Sequence, residues 1–113
     1  MREAIRDFLD YLAVERGLSQ NTIEAYRNDL QQLAIFMQEE ATKLGVIPPW
    51  AGFNRQSMLS YLLHLEERDY ASTTVARKVA ATKSFFNFMV SEGIIKTNPI
   101  GDMGSPRVGK SLP

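Results

Sequence analysis

Apolar residues step by three and four along almost the whole chain, and this spacing restricts the fold more than any other feature of the sequence. Ile5, Phe8, Leu9 and Leu12 make one stripe, and Ile23, Tyr26, Leu30, Leu33 and Met37 a second. Met58, Tyr61, Leu62 and Leu65 make a third, and Val75, Val79, Thr82, Phe86 and Met89 a fourth. Residues at those intervals share one face of an α-helix, whereas a half-buried strand alternates every second residue, and no convincing alternation is present. The expectation is an all-α bundle of four main helices.

Local chemistry sets the expected boundaries. Gly17 stands where a left-handed C-terminal cap would close a first helix over residues 2–16. Ser19 can accept from the unpaired N–H groups of a second helix running to about residue 40, Asn54 can do the same for a third, and Ser72 for a fourth that closes at Gly93. Between the second and third, "TKLGVIPPWAGF" breaks the pattern with two glycines and a Pro-Pro pair. Its Val46, Ile47, Trp50 and Phe53 suggest a loop folded back onto the core. The second and fourth helices resemble each other faintly, each with a Ser cap and an aromatic end, "LAIFM" and "FFNFM", which suggests two helical hairpins. Asn98 and Pro99 offer a short fifth helical turn. Residues 1–100 then read as the domain and residues 101–113, "GDMGSPRVGKSLP", as a linker toward a further domain.

A chain of 113 residues has room for one hydrophobic core and not for two. Cysteine is absent, which removes disulfides, thiolate chemistry and the common Cys-containing zinc sites. His64 is the only histidine, and a lone histidine on a helix is more often a boundary residue than a ligand or general base. The adjacent pairs Glu39-Glu40 and Glu66-Glu67 point about 100° apart on a helix and so make no acid/base dyad. Tyr11, Tyr26, Tyr61 and Tyr70 suit core or edge positions. With no Gly-rich phosphate loop or Gly-x-Ser-x-Gly elbow, the chain is expected to carry no active site, metal or cofactor. An acid-containing amphipathic N-terminus and no long apolar run argue against a signal peptide or spanning helix, so the expected location is the cytoplasm, with no membrane partner.

Formal charge is zero, but it is unevenly spread. Residues 1–40 hold four arginines against eight acids, and residues 71–113 hold six basic residues against two acids. On a helical wheel, the side of the fourth helix away from Val75, Val79 and Phe86 presents Thr73, Arg77, Ala80, Ala81 and Ser84, flanked by Lys78 and Lys83. Small residues permit close approach to a major groove, hydroxyls and Arg can meet base edges, and flanking cations can meet phosphates. The second helix presents Asn21, Ala25, Asn28 and Gln32, with Gln20 and Gln31 nearby, and amides pair with phosphates and base edges without net charge. Its capped start, Ser19 to Thr22, offers backbone N–H groups to a phosphate, while Glu24 on the same side opposes one. A plain solvated surface explains the same residues without DNA. So does a helical interaction module that docks a protein through the connector around Trp50 or through the first helix.

Three segments decide between these. "FLDYLAVERGLSQNTIEAYRNDLQQLAIFM", "ASTTVARKVAATKSFFNFMVSEGIIKTNPI" and "SPRVGKSLP" together resemble the N-terminal core-binding domain of tyrosine recombinases of the Xer and phage-integrase type. The resemblance implies a SAM-like bundle of four helices, with a short fifth in some members, forming one jaw of a clamp on double-stranded DNA at a recombination core site. The other jaw, with the Arg, Lys, His and nucleophilic Tyr that cleave and rejoin strands, would begin after Pro113. By position, Ser19, Asn21, Thr22 and Arg27 match the DNA-approaching second helix, Thr74, Arg77, Lys78 and Lys83 the groove-facing fourth helix, and Lys110 the basic interdomain linker. The family also implies contacts with protomers of the same or a paired recombinase in a synaptic tetramer, and no small-molecule substrate. Two departures stand out: the connector is longer than the usual short turn, and "RDYAS" replaces a Gly-containing "RGLS".

Overall fold

The computed structural model describes residues 2–45 and 50–101. Four α-helices follow in order: α1 (Arg2–Val14), α2 (Gln20–Leu44), α3 (Arg55–Glu67) and α4 (Ser72–Ser91), with a single 3-10 turn at Trp50–Gly52 before α3. No strand occurs among the described residues, and the expected all-α bundle is what forms.

Gly17 takes φ 62°, and the chain turns back so that the Leu18 N–H donates to the Leu12 carbonyl at 3.1 Å. Ser19 caps α2, its Oγ accepting from the Thr22 N–H at 3.2 Å. α2 runs past the expected end near residue 40 because Ala41 continues its buried stripe, and Gly45 follows at φ 75°. Asn54 starts α3 with a reciprocal box: its Oδ1 accepts from the Ser57 N–H at 2.9 Å, while Ser57 Oγ accepts from the Asn54 N–H at 3.2 Å. Between α3 and α4, Asp69 adopts φ 63°, the left-handed conformation that the Gly-containing form of this turn would reach without strain. Aspartate is among the few other residues that tolerate it, which explains how "RDYAS" still makes the turn.

Two expectations near α4 are corrected. Ser72 is not the cap but the first helical residue; Ala71 occupies the cap position and offers no side-chain bond. At the other end Gly93, at φ 76°, closes α4 with the Ile94 N–H on the Met89 carbonyl (2.9 Å) and its own N–H on the Val90 carbonyl (3.1 Å). The Pro99 segment forms a turn, not a fifth helix, up to residue 101. Asn98 holds it, accepting from the Ile100 N–H at 3.0 Å and donating to the Lys83 carbonyl at 3.2 Å and to Asn87 Oδ1 at 2.9 Å.

α1, α2 and α4 pack closest to one another. Phe8 lies at the centre, with the Phe88, Phe85 and Tyr26 rings at 5.4, 5.6 and 6.2 Å. α3 joins through longer side chains, with Phe36 of α2 5.2 Å from the Tyr61 ring and 4.8 Å from His64. Of the connector, Trp50 stands edge-on to Phe85 and Phe86 at 5.0 and 5.8 Å, and Phe53 lies 5.0 Å from Phe86. Trp50 is 6% exposed, so it serves the core and is not presented to a partner. Val46 and Ile47 lie outside the described residues.

Candidate nucleic-acid interface

α4 contains no acidic residue, and its exposed positions after Ser72 form one line: Thr73, Arg77, Ala80, Ser84, Asn87 and Ser91. The intervals of four and three place them within a narrow arc on a helix. All but Ala80 can donate or accept a hydrogen bond, and Ala80 leaves room at the middle of the row. Beside this row runs a groove of about 270 Å³ between the C-terminal part of α1, the first half of α2 and α4, lined by Arg16, Tyr26, Ser84, Asn87 and Ser91 among others.

The helical wheel misjudged two positions. Ala81, expected outside, has 0% exposure, and Lys78, expected as a flanking phosphate ligand, is 6% exposed. The reason is that α4 buries two sides and not one. Phe85 and Phe86 pack on Trp50, Phe85 and Phe88 on Phe8 of α1, and Lys78 on Asp29 of α2, so neighbours close on both flanks of the buried face. Lys78 therefore points inward, its ammonium 2.9 Å from Asp29 Oδ1.

Asp29 was not singled out in the sequence, yet it organises this side of the molecule. Its carboxylate is 1% exposed and receives both Lys78 and the fork of Arg77, whose Nε donates to Oδ2 at 2.9 Å and Nη2 to Oδ1 at 2.8 Å. The Arg77 side chain remains half exposed, at 50%. These bonds to Asp29 raise the Arg77 pKa above its ordinary value, against the opposing effect of burial, so the guanidinium stays charged. Tyr70 covers Lys78 with its ring centroid 5.0 Å from the ammonium, and Tyr70 is held in turn by Gln32, whose amide donates to the phenol oxygen at 3.0 Å. Nearby, the buried Tyr61 hydroxyl has no hydrogen-bond partner among the described residues; burial and then the Asp29 charge push its pKa up. A signal for Asp29 existed: it lies three after Tyr26 and four before Leu33, within the apolar stripe of α2, where a carboxylate must find a cation.

The remaining expected residues separate into groups. Ser19, Asn21 and Thr22 are exposed at the start of α2, the Ser19 hydroxyl also donating to Thr22 Oγ1 at 2.9 Å. Thr74 and Lys83 are half buried on either edge of the α4 row. Arg27 is not brought to α4. It lies about 160° around α2 from Asp29. There it pairs with Glu24 at 3.4 Å and lines a separate groove of about 340 Å³ with Glu3, Arg6 and Leu9 of α1. Lys110 lies outside the described residues. Among those described, no group of three or more Asp, Glu or His could hold a metal ion, and no helix is long and apolar enough to cross a membrane.

The structure is thus a four-helix bundle whose last helix shows an acid-free row of small and polar side chains around one clamped arginine. The chain belongs to the family described as phage integrase, N-terminal SAM-like domain, which matches residues 5–93. It is 43% identical over 113 residues, all of this chain and 35% of the relative, to tyrosine recombinase XerC of Herpetosiphon aurantiacus. Over 109 residues, 96% of this chain and 35% of the relative, it is 36% identical to tyrosine recombinase XerD of Halalkalibacterium halodurans. The chain thus spans about a third of the length of these curated relatives. No solved structure matches it.

Proposed function

We propose that this chain is the DNA-gripping N-terminal module of a site-specific tyrosine recombinase, acting in the cytoplasm as one jaw on the duplex of a recombination core site. The observation that carries this reading is the exposed row of α4, which has no acidic residue and has Arg77 held at its edge by Asp29. The three Arg77 N–H donors not bound to Asp29 suit phosphate and guanine edges, and the neighbouring hydroxyl of Ser84 and amide of Asn87 suit base edges and phosphates alike. In this reading the start of α2, where Ser19, Asn21 and Thr22 are exposed, contacts the duplex as well. Strand cleavage belongs, in this reading, to a catalytic domain toward which residues 101–113, including Lys110, lead. The partners are double-stranded DNA and protomers of the same or a paired recombinase.

The test is an NMR titration of the labelled chain with short duplexes at low and at physiological salt. Amide shifts should concentrate on residues 19–32 and on Thr73, Arg77, Ala80, Ser84 and Asn87. Affinity should fall with salt by about 0.9 log unit per phosphate contacted per log unit of salt. Binding without shifts on α4, or no binding even at low salt, would remove this assignment.

A further inference from the structure

We infer that Asp29 is a positioning residue for DNA recognition, holding Arg77 in one orientation while the buried Lys78 balances the carboxylate. The inference rests on the DNA-binding reading and deepens it. Arg77 spends its Nε–H and one Nη2 hydrogen on the two oxygens of Asp29. That leaves the Nη1–Nη2 edge, with three N–H donors, free of that carboxylate, on a side chain that is half exposed. A lone surface arginine samples many rotamers and loses that freedom on binding; one already clamped by its inner edge loses less.

Lys78 explains how an acid can sit behind a DNA-facing arginine. Asp29 alone would cancel the charge of Arg77. With Lys78 also on Oδ1, the trio carries one negative and two positive charges, so one positive charge remains, and it is located on the exposed member. Lys78 cannot itself meet a phosphate, since its side chain is 7% exposed and the Tyr70 ring, tied down by Gln32, lies over it. The three cations that α4 offers in the sequence therefore do different work. Arg77 contacts, Lys78 balances, and Lys83 lies on the far edge of the row beside the Asn98 turn.

Charge and orientation predict opposite signs for one substitution. Asp29→Asn removes a negative charge next to the contact surface, so if charge alone mattered, every duplex would bind more tightly. If Asp29 positions Arg77, the preference for chosen over random duplex falls. The experiment selects duplexes from a randomised pool with the full chain, then measures affinity for the enriched duplex and for random duplex. Arg77→Ala should lower the affinity for the enriched duplex about tenfold or more. Asp29→Asn should reduce the enriched-to-random ratio by about fivefold or more while leaving random binding equal or stronger, and should cost nothing further in an Arg77→Ala background. The hydrogen-bonded Arg77 Nε–H resonance should broaden or vanish in Asp29→Asn.

Circular dichroism checks that Asp29→Asn still folds, and Arg77→Lys provides a variant that leaves the Asp29–Lys78 pair in place. It keeps the charge but loses the fork, and should lose the preference as Arg77→Ala does. The inference is overturned if Asp29→Asn tightens both duplexes alike, if its penalty is undiminished in the Arg77→Ala background, or if Arg77→Lys keeps the preference. A parent chain that enriches and binds no duplex overturns the DNA reading itself, and this inference with it.

Discussion

Asp29→Asn is expected to destabilise the fold by about 3 kcal/mol, a large share of the roughly 5–15 kcal/mol of a domain this size. The magnitude follows from Lys78. Its side chain is 7% exposed, its ammonium has Asp29 at 2.9 Å, and its other close neighbour is the face of the Tyr70 ring at 5.0 Å. Leaving a buried charge without its partner costs about 3–5 kcal/mol. Asparagine retains one oxygen that can accept from the ammonium, which places it at the lower end, with alanine higher. Arg77 adds little, because a side chain at 50% exposure recovers water and its pair is worth at most about 1 kcal/mol. Lys78→Met should cost less, about 1–2 kcal/mol, since Asp29 keeps both Arg77 bonds and the methionine follows the buried stem. The double variant Asp29→Asn/Lys78→Met should then be about as stable as Lys78→Met alone, giving a coupling of about 2–3 kcal/mol. Urea unfolding of the four proteins, followed by helical circular dichroism, measures this. Additivity within about 0.5 kcal/mol, or a loss below about 1 kcal/mol for Asp29→Asn, would refute the account of Lys78 as a buried cation that depends on Asp29.

Tyr61→Phe removes a buried hydroxyl that lacks a partner among the described residues, so its stability at neutral pH should stay within about 1 kcal/mol of the parent. Because burial raises the Tyr61 pKa, the unfolded chain releases that proton first as pH rises past about 10, and the parent should lose about 1.4 kcal/mol per pH unit above it until the folded value is reached. Tyr61→Phe should show a shallower alkaline loss in urea midpoints; an unchanged slope would exclude Tyr61 as its source. Asn54→Ala removes the side-chain half of the α3 capping box, while the N–H of residue 54 can still donate to Ser57 Oγ, and should cost about 1 kcal/mol by thermal unfolding, whereas a neutral result would mean that solvent replaces the cap. Gly93→Ala meets no atom within 4 Å of the new Cβ, so its cost, about 1–2 kcal/mol, should come from φ 76° alone. A larger loss would mean that the helix terminus itself rearranges.

The three-and-four spacing and the turn chemistry specified most of this fold, because both act over a few residues. Gly17, Ser19, Asn54 and Gly93 are where local rules place them, and the α1 stripe of Ile5, Phe8, Leu9 and Leu12 is buried throughout. The Ser72 cap failed because Ala71 supplies only backbone at that position. The polar row of α4 was legible in part: Thr73, Arg77, Ala80 and Ser84 are exposed, but Lys78 and Ala81 are not.

That difference has a physical cause. A hydrophobic period locates the middle of a buried face, while the width of the face depends on how many neighbours close on the helix, and α4 has α2 on one side and Trp50 with α1 on the others. Asp29 lies 48 residues from Arg77 and 49 from Lys78, so no local pattern in either helix names its partner. Sequence alone determined the helices, most of their ends and the family. Only the tertiary structure decided which of α4's cations faces outward, because that depends on where a single buried carboxylate is brought to rest.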